Sequence, residues 1–507
     1  MDRLPEDVLA GLLGRLDPRS LSVCRCVSGE WRRIVEGRGL LLPRSLHGLF
    51  INYHEHRHPH LLSRPGSPAA GSVDGLLDFM PSISWRALVN HCNGLFVYED
   101  GGKYYVCNPA TRRWARLPPP RMQDWDRAAG AYLVFDPAAS LHYKVVHLPC
   151  APEVTDPNLV EWPPEVVKTD VFSSSTGQWE ERQFVREGGA VATVADVLSE
   201  NEWPVRKFMG PMHRHGEYWK GALYIHCRGS FVIRLSLSDS TYKATKTPTF
   251  VEENENTAIS INEVAYELGN DITVKTYLGR SKRGIYYVRL HIFQIRVWWL
   301  NESGGQMEWV LQHHSDLAPI FWTLLHTDIY INASWIFDDY YSDTKDYESD
   351  CDEDDYDVDD SDDEDQCSSQ QNSNDIDDVD DSEVDNIDHG SSQGNSDNSD
   401  NGYGEDDNSN DDQDHNEWNS DDDYTLKIKN NTEDLCCVSL FFLGFHPQKE
   451  IIFLGENNNV VAYHLGHCKA QYLGNCKPSR SYRAMMLESF PYTPCFIDAI
   501  SKQNYDD

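Results

Sequence analysis

A repeated strand–turn–strand unit constrains the fold of this 507-residue chain more than any other feature. The segments YYVCNPATRRWARLP and KTDVFSSSTGQWEERQF align without gaps, so that a Val, a Thr and a Trp recur at the same places in both. Each segment predicts a β-strand, a turn around the Thr, and a return strand that carries the Trp. Repetition of one hairpin favours a fold that is built from repeated sheets. The matched residues are Val106, Thr111 and Trp114 in the first segment and Val171, Thr176 and Trp179 in the second.

Short runs rich in Val, Ile, Tyr, Phe and Trp, separated by Gly, Asn, Asp and Ser turns, fill residues 85–337 and 425–500. This pattern is typical of an all-β protein. The two regions hold about 325 residues, which at roughly 45 to 50 residues per four-stranded blade predicts a β-propeller of six or seven blades. A pair of β-sandwiches is the structural alternative, but the repeated hairpin favours radial repetition.

Residues 338–424 interrupt the β-type sequence with a tract of Asp, Ser and Asn. The tract holds 37 Asp and Glu residues against the single Lys345, so it carries −36 of the formal net charge of −38. It has almost nothing to bury, and we predict a disordered insertion in a loop of the β domain. Elsewhere 43 Lys and Arg face 45 Asp and Glu, and this near-neutral balance argues against nucleic acid or an anionic membrane as the main partner.

The apolar residues of the N-terminal segment 4–36 recur at helical spacing and predict three short helices. Pro5 marks the start of the first helix, Asp17 followed by Pro18 marks the second, and Ser28 is a cap for the third. A unit of about 35 residues is below the size that usually sustains its own core. We therefore expect another surface to cover its apolar faces.

This segment resembles an F-box, which typically begins with Leu-Pro and an acidic step, continues through two leucine-rich helices, and ends with a Cys-x-Cys-Val step and a Trp helix. In that family the helical unit docks on the adaptor of a Skp–cullin–F-box ubiquitin ligase, so the resemblance implies a Skp-type adaptor and a cullin scaffold as partners. The alternative is a helical cap that packs against the chain's own β domain. The residues that match the adaptor-binding pattern are Leu4, Pro5, Val8, Leu9, Leu12, Leu16, Pro18, Leu21, Cys24, Val27 and Trp31.

Two features depart from the F-box pattern. Ser28 and Gly29 stand where many plant members have a Cys-Lys or similar step before the Trp. Gly11 and Gly14 weaken the first helix by roughly 1 kcal/mol each. These departures keep the helical fold but can reduce the affinity for the adaptor.

The segment NGLFVYEDGGKYYVCNPATRRWARLPPP is more weakly similar to the opening of plant F-box-associated, kelch-like propeller domains. This resemblance implies a module that binds a protein substrate of unknown identity, and exposed loops on one propeller face are where recognition normally lies. The alternative for the turn Trp residues is an aromatic cage in which Trp299 and Trp309 join the two Trp residues of the repeat. The repeat residues that we expect in the core between blades are Val106, Trp114, Val171 and Trp179.

Catalytic, metal and cofactor sites find little support in the sequence, and we expect none. The segment HEHRHPH could bind a metal through alternating histidines, but its Pro and Arg favour a solvated linker. Thirteen cysteines without C-x-x-C spacing and a start without a signal-peptide pattern predict a cytoplasmic or nuclear location. No run of apolar residues is long enough to predict a membrane span.

Taken together, the sequence predicts an α+β multidomain chain, with a small three-helix F-box followed by an all-β propeller. The resemblance implies a non-catalytic subunit that recruits a substrate to the ligase. The first alternative is a binding scaffold without ligase activity, whose acidic insertion holds basic proteins such as histones; the second is a propeller enzyme. The predicted domains are the F-box at 1–45, a linker at 46–84, the propeller at 85–337 and 425–500, the acidic insertion at 338–424 and a tail at 501–507.

Overall fold

The structure is a computed structural model that describes the chain in stretches. The acidic segment apart from Asp338, and residues 501–507, lie outside the described residues, so the disordered insertion and the tail stay predictions. The described helices and sheets belong to one compact unit. The described residues are 5–16, 18–38, 40, 45–53, 56, 58–65, 73, 75–81, 87–121, 130–148, 154–199, 213–248, 274–291, 293–325, 334–338, 426, 440–479 and 486–500.

The N-terminal part forms the helices α1 (Glu6–Leu13), α2 (Pro18–Cys24) and α3 (Gly29–Gly37). Two acidic residues lie in the first turn of α1, where the helix dipole favours negative charge. The hydroxyl of Ser28 accepts a hydrogen bond from the backbone N–H of Trp31 at 3.1 Å, which confirms the predicted cap of α3. Local capping chemistry therefore sets where α3 begins.

A small apolar core lies between the three helices. It contains Leu13 of α1, Leu21 of α2, and Ile34 and Val35 of α3, all of which are buried. These side chains belong to the same apolar cluster as residues of the neighbouring β-strands. The chain therefore covers part of the apolar surface of its own helices.

Most of the remaining described chain forms β-strands, accompanied by the short helices α4 (Val194–Ser199) and α5 (Ala318–Leu325). In chain order the strands are β1 (Gly48–Tyr53), β2 (His60–Ser63), β3 (Ala87–Cys92), β4 (Leu95–Asp100), β5 (Lys103–Asn108), β6 (Arg113–Arg116), β7 (Ala131–Val134), β8 (Lys144–His147), β9 (Glu161–Trp162), β10 (Val166–Ser173), β11 (Gln178–Arg186), β12 (Ala192–Thr193), β13 (His213–Trp219), β14 (Ala222–Cys227), β15 (Phe231–Ser236), β16 (Thr241–Lys246), β17 (Lys275–Ser281), β18 (Gly284–His291), β19 (Gln294–Asn301), β20 (Glu308–Asp316), β21 (Ile336–Phe337), β22 (Phe441–Phe445), β23 (Ile451–Glu456), β24 (Asn459–His464), β25 (Lys469–Asn475) and β26 (Met486–Tyr492).

Three sheets are meanders of four consecutive antiparallel strands, formed by β3–β6, β17–β20 and β22–β25. Tight turns join their strands. Between β3 and β4, for example, Asn93 and Gly94 both have positive φ, at 46° and 86°. Such turns match the right-handed twist of the strands, which is why Asn-Gly is a common hairpin connection.

A larger sheet has eight strands and combines two meanders. One consists of β7, β8, β10 and β11, and the other of β13–β16. A short parallel pairing joins them, with Val185 opposite Thr241 and Arg186 opposite Tyr242. The strands β9 and β12 form a separate two-stranded sheet.

Residues 46–84, predicted as a linker, contain two strands of the β body, so that prediction is wrong. β1 pairs with the C-terminal strand β26, from Gly48 opposite Tyr492 to Tyr53 opposite Met486. β2 and β21 extend the same sheet on the other side of β1. The pairing satisfies backbone N–H and C=O groups of both ends of the chain. The partner strand is too distant in sequence for a local pattern to reveal it.

The two repeated segments form hairpins with the same register. Trp114 lies opposite Cys107 in the hairpin of β5 and β6. Trp179 lies opposite Phe172 in the hairpin of β10 and β11. In both hairpins the residue opposite the Trp directly follows the Val of the repeat. The sequence alignment therefore corresponds to equivalent positions in two sheets.

Apolar side chains fill the space between neighbouring sheets. One cluster includes Val297 of β19, Leu454 of β23 and Phe321 of α5. Another joins strands of the eight-stranded sheet to Val197 of α4. Among the described residues, no helix is long and apolar enough to cross a membrane. The described chain is thus a small helical unit followed by a mostly-β body.

Candidate functional site

Helix α1 and the turn after it present a stripe of exposed apolar side chains. Val8, Leu12 and Leu16 follow one another at four-residue spacing, which places Val8 and Leu12 on one side of the helix. They are 48%, 49% and 39% exposed. Exposed apolar side chains that are grouped on one surface mark an interaction site. All three belong to the residues that the sequence predicts to contact the adaptor.

A second exposed apolar pair lies on α2 and the turn that follows it. Val23 and Val27 are 65% and 63% exposed. Val27 belongs to the predicted contact residues and Val23 does not, although the four-residue spacing between them is the signal that would have identified Val23. The helical unit thus offers two apolar stripes to a partner.

Other residues of the predicted contact set face inward. Leu21 is buried in the core between the helices, so it supports the surface rather than forming it. Pro5 is exposed just before α1. Leu4 and the side chain of Pro18 lie outside the described residues. The members that are half-buried and pack against the core are Leu9, Cys24 and Trp31.

Two ion pairs connect α1 to α3 and the residue after it. The carboxylate of Glu6 lies 3.0 Å from the guanidinium of Arg33. The carboxylate of Asp7 pairs with the guanidinium of Arg38. All four side chains are largely exposed, so each pair contributes at most about 1 kcal/mol to stability. Their main effect is to orient α1 relative to α3.

Close packing does not require the glycines at two of the positions that depart from the F-box pattern. A Cβ atom added at Gly11 or Gly29 would meet no other atom within 4 Å. A Cβ atom at Gly14 would lie 3.2 Å from the carbonyl oxygen of Ala10. At Gly11 the cost is therefore the lower helix propensity of glycine, roughly 1 kcal/mol.

The repeat residues of the β body lie in its core or at the edge of the core. Val106 and Val171 are buried. Trp179 is also buried, and its indole N–H donates a hydrogen bond to the carbonyl of Pro118 at 2.7 Å. Trp114 is half-buried and packs against the same apolar cluster. The two Trp residues therefore have equivalent registers but different burial.

The four turn Trp residues do not form an aromatic cage. Trp114 in β6 and Trp179 in β11 belong to different sheets. Trp299 in β19 and Trp309 in β20 share a sheet, but Trp309 lies opposite Leu300. Successive residues of a strand point to opposite faces, so these two indoles project from opposite sides of the sheet. The cage alternative has no geometric basis in these residues.

Polar contacts connect strands of different sheets. Arg280 of β17 donates a hydrogen bond to the side chain of Asn93 at 3.0 Å and lies 4.0 Å from the carboxylate of Glu217 in β13. His215 of β13 lies 3.7 Å from the carboxylate of Glu488 in β26. Burial raises the pKa of Glu488 to about 8 and that of Glu217 to about 7, the latter against the opposing charge of Arg280. No local pattern in the sequence indicates these contacts.

Two histidines of the HEHRHPH segment contact each other. Nε2 of His60 lies 3.0 Å from Nδ1 of His56. Nδ1 of His60 lies 3.2 Å from the carbonyl oxygen of Asp338, which accepts a hydrogen bond from it. Within the described stretches, no three His, Cys, Asp or Glu side chains are grouped as metal ligands would be. His54 lies outside those stretches.

Residues 1–42 match the family model of the F-box domain. The match covers the helical unit with its two apolar stripes and ends before β1. The N-terminal segment is therefore an F-box domain.

The chain is also related to a protein of Arabidopsis thaliana that is named as a putative F-box protein. The two are 29% identical over 130 residues, which cover 23% of this chain and 33% of that protein. The chain thus spans about a third of the length of the curated relative that it matches. The relative is a distant plant F-box homologue.

Solved structures align with about half of the chain at low TM-scores. AztD from Citrobacter koseri has a TM-score of 0.26 and covers 53% of this chain and 70% of its own. The Cps50 (Swd1) β-propeller domain of Myceliophteria thermophila has a TM-score of 0.25 and covers 54% and 74%, and Hsv2p of Kluyveromyces lactis has 0.25 and covers 54% and 75%. Each is 10% identical to this chain. At these scores the likeness supports no argument about fold or function.

Proposed function

We propose that this chain is the substrate-recognition subunit of a Skp–cullin–F-box ubiquitin ligase. The observation that carries the proposal is the F-box match over residues 1–42, on a helical unit whose apolar stripes are open to a partner. F-box domains bind Skp-type adaptors in such complexes. The adaptor covers the stripes, and the cullin scaffold joins through the adaptor.

The hydrophobic effect drives this association. Fully burying a Val or Leu side chain is worth roughly 1.5–3 kcal/mol. Val8, Leu12 and Leu16 are about half exposed in the free chain, so each contributes roughly 1 kcal/mol when the adaptor covers it. The more exposed Val23 and Val27 add to this sum. The loss of translational and rotational freedom on association offsets part of the gain.

We infer further that the β body is a propeller of six blades. Three sheets have four consecutive strands, and the eight-stranded sheet divides at the pairing of β11 with β16 into two sets of four. The sheet of β1, β2, β21 and β26 supplies the sixth blade. The pairing of β1 with β26 closes the ring, which protects sheet edges that would otherwise be exposed.

The propeller presents a protein substrate for ubiquitin transfer. Its faces consist of the loops between strands, where binding residues usually lie on a rigid scaffold. The chain contributes proximity rather than chemistry, because a substrate held on the propeller brings a lysine close to the ubiquitin-charged enzyme of the complex. The complex acts in the cytoplasm or the nucleus, in keeping with the thirteen cysteines that lack paired spacing in the sequence, since disulfides are rare there.

Co-purification tests this proposal. The tagged full chain is expressed in plant cells, purified, and analysed by mass spectrometry. We expect a Skp-type adaptor and a cullin in amounts comparable to the chain, and we expect both to be lost when Val8 and Leu12 are replaced by Asp. If the folded chain is isolated with neither protein, the proposal is wrong. A substrate that stays bound to the double variant would support the assignment of adaptor binding to the helical unit and of substrate binding to the β body.

A further inference from the structure

Glu456 is a fully buried carboxylate at the tip of a hairpin. It ends β23 and lies opposite Asn459, the first residue of β24. Its exposed fraction is 0%. Asn457 and Asn458 between them have positive φ, at 45° and 65°, as in the tight turns preferred by hairpins. Hairpin tips are normally in water, so the burial of this carboxylate requires an explanation.

Three side-chain oxygens of this turn lack donors. Both carboxylate oxygens of Glu456 and the side-chain oxygen of Asn458 are shielded from solvent and accept no hydrogen bond. Buried polar atoms are almost always paired, and an unpaired buried carboxylate is especially unfavourable. All three atoms are acceptors. What these three oxygens lack is therefore a hydrogen-bond donor or a cation.

A proton alone does not satisfy the turn. Protonation would neutralise one oxygen and leave the other, and the oxygen of Asn458, without a donor. It would also introduce a buried O–H that needs an acceptor of its own. A hard cation, unlike a proton, takes several oxygen ligands.

We propose that the turn between β23 and β24 binds a hard metal cation of the Ca²⁺ class through Glu456 and Asn458. Carboxylate and amide oxygens are the ligands that Ca²⁺ takes in proteins, with water completing the shell. Ligands at residues i and i+2 also match the spacing of known Ca²⁺ loops. Because the carboxylate is closed to solvent, a small ion fits the site better than the side chain of a partner protein.

Hydrogen bonds hold the turn in place. The carbonyl of Asn458 accepts from the N–H of Cys476 at 2.8 Å and from its Sγ at 3.2 Å. The side-chain oxygen of Asn459 accepts from the hydroxyl of Tyr472 at 3.2 Å and from the amide of Asn475 at 3.0 Å. The ligands are thus carried on a constrained backbone, which reduces the entropic cost of binding an ion.

The face of β23 that carries Gly455 packs against the sheet that joins the two ends of the chain, and the side chain of Glu456 lies on the opposite face. The hydroxyl of Tyr53 in β1 donates to the carbonyl of Cys476. A Cβ atom at Gly455, next to Glu456, would lie 2.9 Å from the methyl group of Met486, the first residue of β26. This inference is independent of the ubiquitin-ligase proposal.

Thermal unfolding of the full chain tests the cation site. Protein treated with a chelator and then desalted is measured without and with millimolar CaCl₂. We expect Ca²⁺ to raise the Tm of the wild type by roughly 2–5 °C more than that of Glu456→Gln. Without Ca²⁺ the variant should be at least as stable as the wild type, because it removes an unpaired buried charge. Glu180→Gln removes an exposed carboxylate of β11 and should respond like the wild type.

A second variant keeps the test independent of folding defects. Asn458→Asp adds a charge to the ligand set, so the Ca²⁺ concentration at half-maximal Tm shift should fall several-fold. Any Ca²⁺ bound by the acidic segment 338–424 contributes equally to every variant, and the differences therefore report on the turn. If the wild type and Glu456→Gln shift equally, or if Asn458→Asp leaves the midpoint unchanged, the turn binds no Ca²⁺ and the proposal is wrong.

Discussion

The side-chain amide of Asn108 donates a hydrogen bond of 2.8 Å to the carbonyl of Cys495, 387 residues further along the chain. The oxygen of the same amide accepts hydrogen bonds from the backbone N–H groups of Ala110 and Thr111, at 3.1 and 3.3 Å. One buried side chain thus fixes the turn of the NPATRRW segment and holds the C-terminal segment against it. Arg113 of the same segment adds an ion pair with Asp498 at 3.2 Å. The NPATRRW segment therefore has a structural role.

Replacing Asn108 by Ala should destabilise the β body by about 2 kcal/mol, because the carbonyl of Cys495 and two backbone N–H groups lose their partner. The measurement is urea unfolding followed by Trp fluorescence. Arg116→Ala, at an exposed position of β6, is the matched control and should change the free energy of unfolding by less than about 0.5 kcal/mol. Equal midpoints for the two variants would show that Asn108 does not fasten the C-terminal segment.

The two Trp residues of the repeat should differ in their contribution to stability. Trp179 is buried and hydrogen-bonded, so Trp179→Ala should cost roughly 3–5 kcal/mol. Trp114 is half-buried, and Trp114→Ala should cost about half as much. Calorimetric or denaturant unfolding of both variants checks the order. A larger loss of stability for Trp114→Ala than for Trp179→Ala would mean that burial does not determine how much these two positions contribute to stability.

Helix α2 contains a matched pair that separates folding from binding. Leu21 is buried and Val23 is exposed. Leu21→Ala should destabilise the helical unit by about 2–5 kcal/mol, whereas Val23→Ala should leave its stability within about 0.5 kcal/mol. Amide hydrogen exchange over residues 6–37 measures the local stability. If Val23→Ala increases exchange as much as Leu21→Ala does, the assignment of inward and outward faces is wrong.

Glu488 should make the stability of the chain depend on pH. Burial raises the pKa of Glu488 to about 8, well above its ordinary value, so the folded chain holds the proton more tightly than the unfolded chain. The stabilisation is present below about pH 4.5 and is lost as the pH rises towards 8. Between about pH 6 and 8 the Tm of the wild type should therefore fall more than that of Glu488→Gln, which cannot ionise. His215, which lies 3.7 Å away, moderates the effect wherever it is protonated. Parallel Tm profiles for the two proteins would contradict this role of Glu488.

The features that the sequence predicts correctly are local ones. The cap at Ser28 depends on residues within one helical turn, and the hairpins around Trp114 and Trp179 depend on strand and turn residues within a dozen positions. Such caps and hairpins depend only on residues within a short window of sequence, so a local pattern can predict them. The exposed stripe of Val8 and Leu12 follows from helical periodicity in the same way.

The features that the sequence misses depend on distant partners. β1 lies in the segment predicted as a linker because its pairing strand, β26, is at the other end of the chain. Periodicity likewise identifies apolar positions such as Leu21 without showing whether they face the core of the helices or an external partner. The turn at Glu456 has a polar local sequence, ENNN, and only the burial of Glu456 in the folded chain makes it unusual. The pairing of β1, the orientation of Leu21 and the burial of Glu456 all depend on tertiary contacts, which a local sequence pattern does not contain.

The most direct test of the account is the affinity of the full chain for a purified Skp-type adaptor, measured by calorimetry or biolayer interferometry. The double variant Val8→Ala and Leu12→Ala should bind at least tenfold more weakly, a loss of roughly 1.4 kcal/mol or more, with an unchanged Tm. The matched control replaces Val166 and Val185, exposed valines of the β body, and should bind like the wild type. If the double variant binds the adaptor as tightly as the wild type does, or if the wild type does not bind it at all, the central claim is contradicted.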